Sequence, residues 1–268
     1  MRYLILSLII LLGFSIFCDA GTINPNVDDS KYVEYGSQHK CVVKICGEYP
    51  NQVVDGKRVG FIASSVIIKP RIVLTAAHVT HEASNIYIEL NGVKTKILQT
   101  EQVKGYDYNT SSDSDISVCY LEKEVKLDFY PELYEKDDEV GKICSISGYG
   151  MTGNYKTGVT FHDGKKRAGS NIIDGICNGM LSCSVNKKPL TSLEFLIANG
   201  DSGGGLFINQ KLAGINSSIM THKNGQLNSD MEDESCHTRI SIHKEWIEGV
   251  ILKFENMENS HKGGFDFF

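Results

Sequence analysis

The sequence has no C-x-x-C pair, no H-E-x-x-H and no glycine loop leading from a strand into a helix, as the dinucleotide-binding kind does. Those absences remove the usual zinc sites and nucleotide-cofactor folds, so neither a metal nor a cofactor is expected. The nearest approach, His78-Val79-Thr80-His81-Glu82, has its ligand residues in the wrong order. There is no internal repeat. Basic charge is also scarce: the formal net charge is −6, which argues against nucleic acid or an anionic membrane as a partner. Long apolar runs are missing too. The longest, Leu4–Phe17, falls short of the roughly 20 residues that a membrane-spanning helix needs.

That early run has a different meaning. Residues 1–20 combine Arg2, the apolar stretch and the small residues Cys18 and Ala20 before Gly21, and they read as a secretory leader cut after Ala20. The cut removes Arg2 and Asp19 together, leaving the charge unchanged. The mature protein is expected to be secreted, extracellular, free of the membrane and monomeric. Of eight cysteines, Cys18 goes with the leader. Cys41, Cys46, Cys119, Cys144, Cys177, Cys183 and Cys236 remain, an odd number that leaves at least one thiol unpaired or bound to another chain. Cys177 and Cys183 flank one loop and are candidates for a local bridge, although spacing does not fix connectivity.

What the chain does have, from about residue 39, is a series of short runs rich in Val, Ile and Tyr: "CVVKIC", "VGFIASSVII", "RIVLTAA", "NIYIEL", "VKTKIL" and "DISVCYL". Gly, Pro, Asn or charged residues separate them, as expected of strands. Residues 122–140 are crowded with charge and read as a surface connection. A second β set follows in "KICSISGYG", "SLEFLIA", "GGLFINQKLAGI" and "CHTRISI", with a hairpin expected at Asn209-Gln210-Lys211. One helix closes the chain, because Ile242, Trp246, Ile247, Val250, Ile251 and Phe254 recur with a 3.6-residue period. The expected divisions are a leader (1–20), an N-terminal segment (21–38), a domain at 39–256 and a flexible tail (257–268). Within the domain, one β unit spans about 39–121, a second about 139–243, and the helix 242–256.

"ANGDSGGGLF", residues 198–207, raises the chemical question. Asp, Ser and Gly are ordinary turn residues, and Gly200–Gly204 also fits G-x-S-x-G, the nucleophile elbow of α/β-hydrolases. Two other stretches complete a possible set. "IVLTAAHV" delivers His78 at the end of an apolar strand, and "SDISVCYL" places Asp115 just before an alternating strand. Alone, His78 reads as a structural group and Asp115 as a strand-start cap. Together they supply what a serine hydroxyl requires, an imidazole to take its proton and a carboxylate to orient the imidazole. The order His78, Asp115, Ser202 differs from the serine-acid-histidine order of α/β-hydrolases, and the residues after Ser202 read as strand, turn, strand. The elbow reading therefore fails.

In this order and spacing, "LTAAH", "DISV", "CSISGYG", "GDSGG", "LAGINSS" and "TRIS" followed by "EWI" make the chain, over about residues 39–254, resemble the chymotrypsin/trypsin-like serine proteases. The resemblance implies an all-β fold of two six-stranded antiparallel β-barrels with a C-terminal α-helix. It implies a serine endopeptidase with His78, Asp115 and Ser202 as catalytic residues and the N–H groups of Gly200 and Ser202 as oxyanion hole. Leu196, Asn199, Ser217 and Ile219 would bind substrate, with Ser217 also supporting Asp115. The partners implied are a protein or peptide substrate and a proteinaceous inhibitor. Leu196 at the pocket floor carries no carboxylate and Ile219 narrows the wall, which points away from Arg or Lys specificity. If the register there is shifted, His237 or Asn216 lines the pocket and favours an acidic residue.

The chain also departs from the family. Val79, Ala63 and Ala198 stand where cysteines are usual, and Ile208 replaces the usual partner of Cys144. The Ile-Val-Gly-Gly start, whose freed amino group would pair with Asp201, is missing. A cut after Lys31 would start the chain at Tyr32, too close to the first strand, so either another donor holds Asp201 or none is needed. These departures support a rival, an inactive homologue that binds proteins as a regulator; the complete triad opposes it. Asn109 and Asn216 match the glycosylation sequon, and Asn216 is expected to be too close to the cleft to be modified.

Overall fold

The computed structural model describes residues 21–262 apart from Ser111, His162 and 222–226; residues 1–20, expected to be a leader, lie outside the described residues. A two-residue strand, β1 (Thr22–Ile23), precedes helix α1 (Asp29–Gln38). Six strands follow: β2 (Val42–Val54), β3 (Lys57–Lys69), β4 (Ile72–Thr75), β5 (Ser84–Leu90), β6 (Val93–Gln102) and β7 (Ser117–Leu121), with the short helix α2 (Ala77–Thr80) after β4. They close into a barrel in the cyclic order β2-β3-β4-β7-β6-β5. These are the six runs picked out by composition. β4 is buried along its whole length, which explains why "IVLT" is continuously apolar rather than alternating.

The second half contains β8 (Ile143–Gly148), β9 (Thr152–Asn154), β10 (Gly158–Phe161), β11 (Arg167–Ile172), β12 (Gly175–Cys177), β13 (Met180–Cys183), β14 (Phe195–Leu196), β15 (Gly205–Ile208), β16 (Lys211–Thr221) and β17 (Asp233–Arg239). Here hydrogen bonding runs through a seven-stranded sheet, β11-β8-β15-β16-β17-β13-β12, beside a four-stranded one, β10-β9-β1-β14. The N-terminal strand thus belongs to the second half of the molecule: Thr22 faces Leu196 on one side and Gly153 on the other.

Local chemistry sets the hairpins. Asp55-Gly56, Asn91-Gly92 and Asn209-Gln210 all have positive φ at both residues, the type I′ geometry that matches strand twist and favours Asn, Asp and Gly. The expected hairpin in the "FINQKL" stretch is therefore a two-residue turn, with Lys211 already the first residue of β16. Helix α3 (Lys244–Lys262) closes the chain. It lays Ile247, Val250, Ile251 and Phe254 against the first barrel, with Met257 packed beside them, and Tyr120 Oη donates to Glu258 at 2.7 Å. Those contacts carry the helix past residue 256, into the stretch expected to be a flexible tail; residues 263–268 lie outside the described residues.

Helix α1 went unread in the sequence. Its amphipathic signal is slight, since only Tyr32 and Gly36 are buried, and it is capped by Asp28 accepting from Ser30 N at 2.9 Å. All seven described cysteines are free thiols. Cys183 does not meet Cys177: its sulfur lies 3.9 Å from that of Cys144, while Cys177 faces the Met220 sulfur.

Candidate active site

His78 is placed by α2, a helix of four residues whose N-cap Ala76 offers no side-chain acceptor. The missing cap comes from far along the chain. Asp115 Oδ1 accepts the His78 backbone N–H at 2.9 Å, and Oδ2 accepts Nδ1 at 2.8 Å. With Nδ1 as donor, Nε2 is the imidazole acceptor, and the ring stays 30% exposed. Asp115 itself is buried. Burial alone would raise its pKa, but the hydrogen bond and charge of His78 outweigh it, helped by Ser217, and the carboxyl lies below its ordinary range.

Ser217 Oγ donates to Asp115 Oδ2 at 2.6 Å. The reason is a bulge: Asn216 faces His237 and Ser218 faces Cys236, leaving Ser217 as the extra residue of β16. A bulge re-aims a side chain, here toward Asp115. Thr238 Oγ1 also donates to the Asp115 carbonyl at 3.0 Å.

Ser202 sits in the turn between β14 and β15, half-buried. Its carbonyl accepts Ser64 N at 2.9 Å, and the Gly200 carbonyl accepts Ser64 Oγ at 2.9 Å. Gly203, with φ of +83°, packs so tightly that a Cβ would lie 2.0 Å from Thr75 Oγ1 and 2.2 Å from the Ser64 carbonyl. Only glycine fits, and the closeness presses the Ser202 turn against Thr75, three residues ahead of His78.

Between Gly200 and Ser202, the fully buried Asp201 is the hub of this turn. Its Oδ2 accepts Ala198 N at 2.9 Å and Gly21 N at 2.6 Å, and its Oδ1 accepts Gly150 N at 2.8 Å. Burial pushes its carboxyl up to about 7, against the three backbone donors and the charge of Arg167. The donor sought for Asp201 is therefore Gly21, the residue right after the expected leader cut. Lys31 lies within α1, where a cut would break the helix. The sequence signal for Gly21 was the leader cut itself, read without joining it to Asp201.

The remaining candidates scatter. Leu196 is 1% exposed and packs with Tyr155 and Val185. Ile219 is partly buried against the second core, and Asn199 is exposed, its carbonyl accepting Met151 N. Asn216 and His237 are fully buried and joined at 2.9 Å; Asn216 Nδ2 also reaches the Ser147 carbonyl at 3.2 Å. Neither is a free pocket wall, and Asn216 is closed to a glycan. Among the described residues, no His, Cys, Asp and Glu cluster has metal-binding geometry, and no helix is long and apolar enough to cross a membrane.

A buried histidine and a half-buried one give the fold an acid limit. Burial lowers His237 to about 3, and burial with the nearby Lys166 charge lowers His39 to about 4. The unfolded chain takes up these protons from about pH 6.5, so stability held above that pH is lost as the pH falls toward the folded values. Each histidine contributes about 1.4 kcal/mol per pH unit over that window. Urea midpoints at pH 7, 6 and 5 should fall accordingly, and His237→Gln should flatten the decline relative to wild type. An unchanged slope in that variant would contradict this account.

Comparison with known proteins matches these elements to a family. The family model described as trypsin fits residues 45–247. The thrombin-like enzyme acutin of Deinagkistrodon acutus is 28% identical over 209 residues, covering 70% of this chain and 85% of its own. The venom plasminogen activator LV-PA of Lachesis muta muta is 25% identical over 224 residues, covering 76% and 83%. Among solved structures, mouse neuropsin superposes with a TM-score of 0.62 at 19% identity, over 81% of this chain and 96% of its own. An inactivated protease paralogue of the scabies mite superposes with a TM-score of 0.59 at 16% identity, over 81% and 96%. The backbone is thus shared by a protease and an inactivated paralogue, and chemistry must be argued from side chains.

Proposed function

The chain belongs to the trypsin family, and from that premise we propose that it is a secreted serine endopeptidase working through an acyl-enzyme. Ser202 Oγ attacks the scissile carbonyl and His78 Nε2 takes its proton, returning it to the leaving amine. Asp115 fixes the tautomer and favours the imidazolium. Gly200 and Ser202 N–H groups receive the oxyanion, where preorganised donors act at the moment charge develops. The observation that carries this reading is the Asp115 carboxylate, saturated by His78 N, His78 Nδ1 and Ser217 Oγ at 2.9, 2.8 and 2.6 Å. The cap on His78 N would serve an inactive binding protein equally, but the bonds of Oδ2 to Nδ1 and to Ser217 Oγ also orient the partly exposed imidazole with Nε2 as its acceptor. A fluorophosphonate probe tests it: labelling at Ser202 is expected, and an inert wild-type protein would favour the binding-protein reading.

Maturation follows from the same reading. Removal of the leader after Ala20 turns Gly21 N from a peptide nitrogen into an ammonium, placed at Asp201.

Leu196 and Ile219 set the preference. A Lys or Arg side chain desolvated over the apolar Leu196 would lack a partner, at a cost of several kcal/mol. Profiling with a peptide library should give cleavage after small or medium neutral residues. Dominant cleavage after Arg or Lys would show that Leu196 is not the floor.

A further inference from the structure

Two consecutive residues at the start of β11, Lys166 just ahead of the strand and Arg167 as its first residue, hold both ends of α1. At its start, Arg167 grips Asp29 bidentately, Nε to Oδ1 at 2.6 Å and Nη2 to Oδ2 at 2.8 Å. The same guanidinium is 1% exposed and takes Asp163 at 2.9 and 2.7 Å. Just past the helix end, Lys166 Nζ donates to the carbonyls of His39 and Val42 at 2.7 and 2.9 Å. Between these points Tyr32 Oη donates to the Glu194 carbonyl at 3.1 Å and accepts Asn24 N at 3.2 Å. Gly36 lies so close to β11 that a Cβ would sit 2.7 Å from the Lys166 carbonyl. An arginine buried between two carboxylates is a costly arrangement to keep for one ten-residue helix. A function for the helix explains it.

We propose that α1 is a strap and Arg167 a positioning residue for the active site: through Asp29 it holds the segment ahead of the helix so that the Gly21 amino group stays at Asp201. This rests on the reading that the mature chain begins at Gly21. With α1 docked, the tether behind the amino group, itself paired at Thr22 and Ile23 in β1, runs only from Gly21 to Asp28. Undocked, it runs to Cys41 at the edge of the first barrel. A shorter tether raises the effective concentration of the amino group at its buried partner. The Arg167 charge acts in the same direction, favouring the ionised form of Asp201. The other charges around the clamp are Asp28, Lys165, 3.5 Å from Asp163, and Lys166.

The test uses the full mature chain and two readouts, one independent of catalysis. Gly21 is buried, so its α-amine should resist reductive methylation, read by mass spectrometry of the N-terminal peptide. In Asp29→Asn, labelling should quicken and kcat should fall by about fourfold while KM moves little, the scale expected of a tether lengthened from Asp28 to Cys41. The alkaline limb of the pH–rate profile should move to lower pH, because a less firmly docked amine loses its proton sooner. Arg167→Met should exceed both effects, and Asp29→Glu should restore them in part. Asp29 is 42% exposed, so its variants read out even where Arg167→Met fails to fold. A protected amine and unmoved alkaline limb in Asp29→Asn, with only a lower melting temperature, would reduce the strap to a structural clamp. A wild-type chain that is inert yet shows the labelling difference would sink the protease reading and keep the strap. A mature chain starting elsewhere than Gly21 would overturn the strap.

Discussion

Replacing Ser202 by alanine leaves the fold intact and lowers turnover by about 10⁶-fold, as in enzymes whose triad acts as one unit. The fold survives because the contacts of this turn are made by other atoms. The Ser202 carbonyl accepts Ser64 N, and Gly203 N donates to the Asn216 carbonyl at 2.8 Å. Deleting one hydroxyl removes none of these. On the proposed mechanism it removes the nucleophile that His78 activates, and what remains is binding and the oxyanion donors. His78→Ala should lose a similar amount, and the double variant little more, since neither group works without the other. Steady-state hydrolysis of a peptide substrate by the purified variants checks this. Near wild-type turnover in Ser202→Ala would end the acyl-enzyme mechanism.

A chain that keeps one extra residue ahead of Gly21, or that carries Asp201→Asn, should lose about 10²–10³ in kcat, the scale of losing an oxyanion donor. A side chain at this position has no space, since a Cβ on Gly21 would sit 2.0 Å from the Phe195 ring, and an extension would turn the ammonium back into a peptide nitrogen. Charge matters as much as space. With Gly21 N as a peptide donor, burial raises the Asp201 carboxyl to about 7 in spite of the three backbone donors and the Arg167 charge, so that it would be only partly ionised at neutral pH. An ammonium at Gly21 supplies the missing countercharge, holding Asp201 ionised and the Gly200–Ser202 turn in place. The amine's own pKa, about 7.7–8.0 when free, is raised by the same pairing. Its contribution is therefore complete below about pH 8 and is lost as pH rises through the raised value, giving an alkaline loss of activity that Asp201→Asn abolishes along with the activity itself. Full activity in the extended chain would refute this account.

The first barrel was legible because each strand carries its own signal and each tight turn its own residue, such as Asn91-Gly92. The proposed triad could be named from the sequence because three short motifs hold their order, and the structure joins His78 to Asp115. Helix α1 was not, since what stabilises it is Arg167, far along the chain, and not a periodic face of its own. Gly21 was missed for a related reason. The sought signal was a particular start sequence, while the physical requirement is an amino group with no side chain, able to enter beside Phe195. The bulge at Ser217 is equally silent in sequence, because register is a property of paired strands.

The contact at Gly203 reaches beyond catalysis. The first core already takes in Phe207, Leu212, Ile215 and Ile240 from the second half together with α3, and Gly203 locks the remaining seam against Thr75 and Ser64. The closed barrel and the second half, joined in this way, are expected to share one melting event, with neither loosening beside an intact neighbour. Damage anywhere in either core is then felt as a loss of the whole molecule, and a fragment carrying only one half would have no stable state of its own.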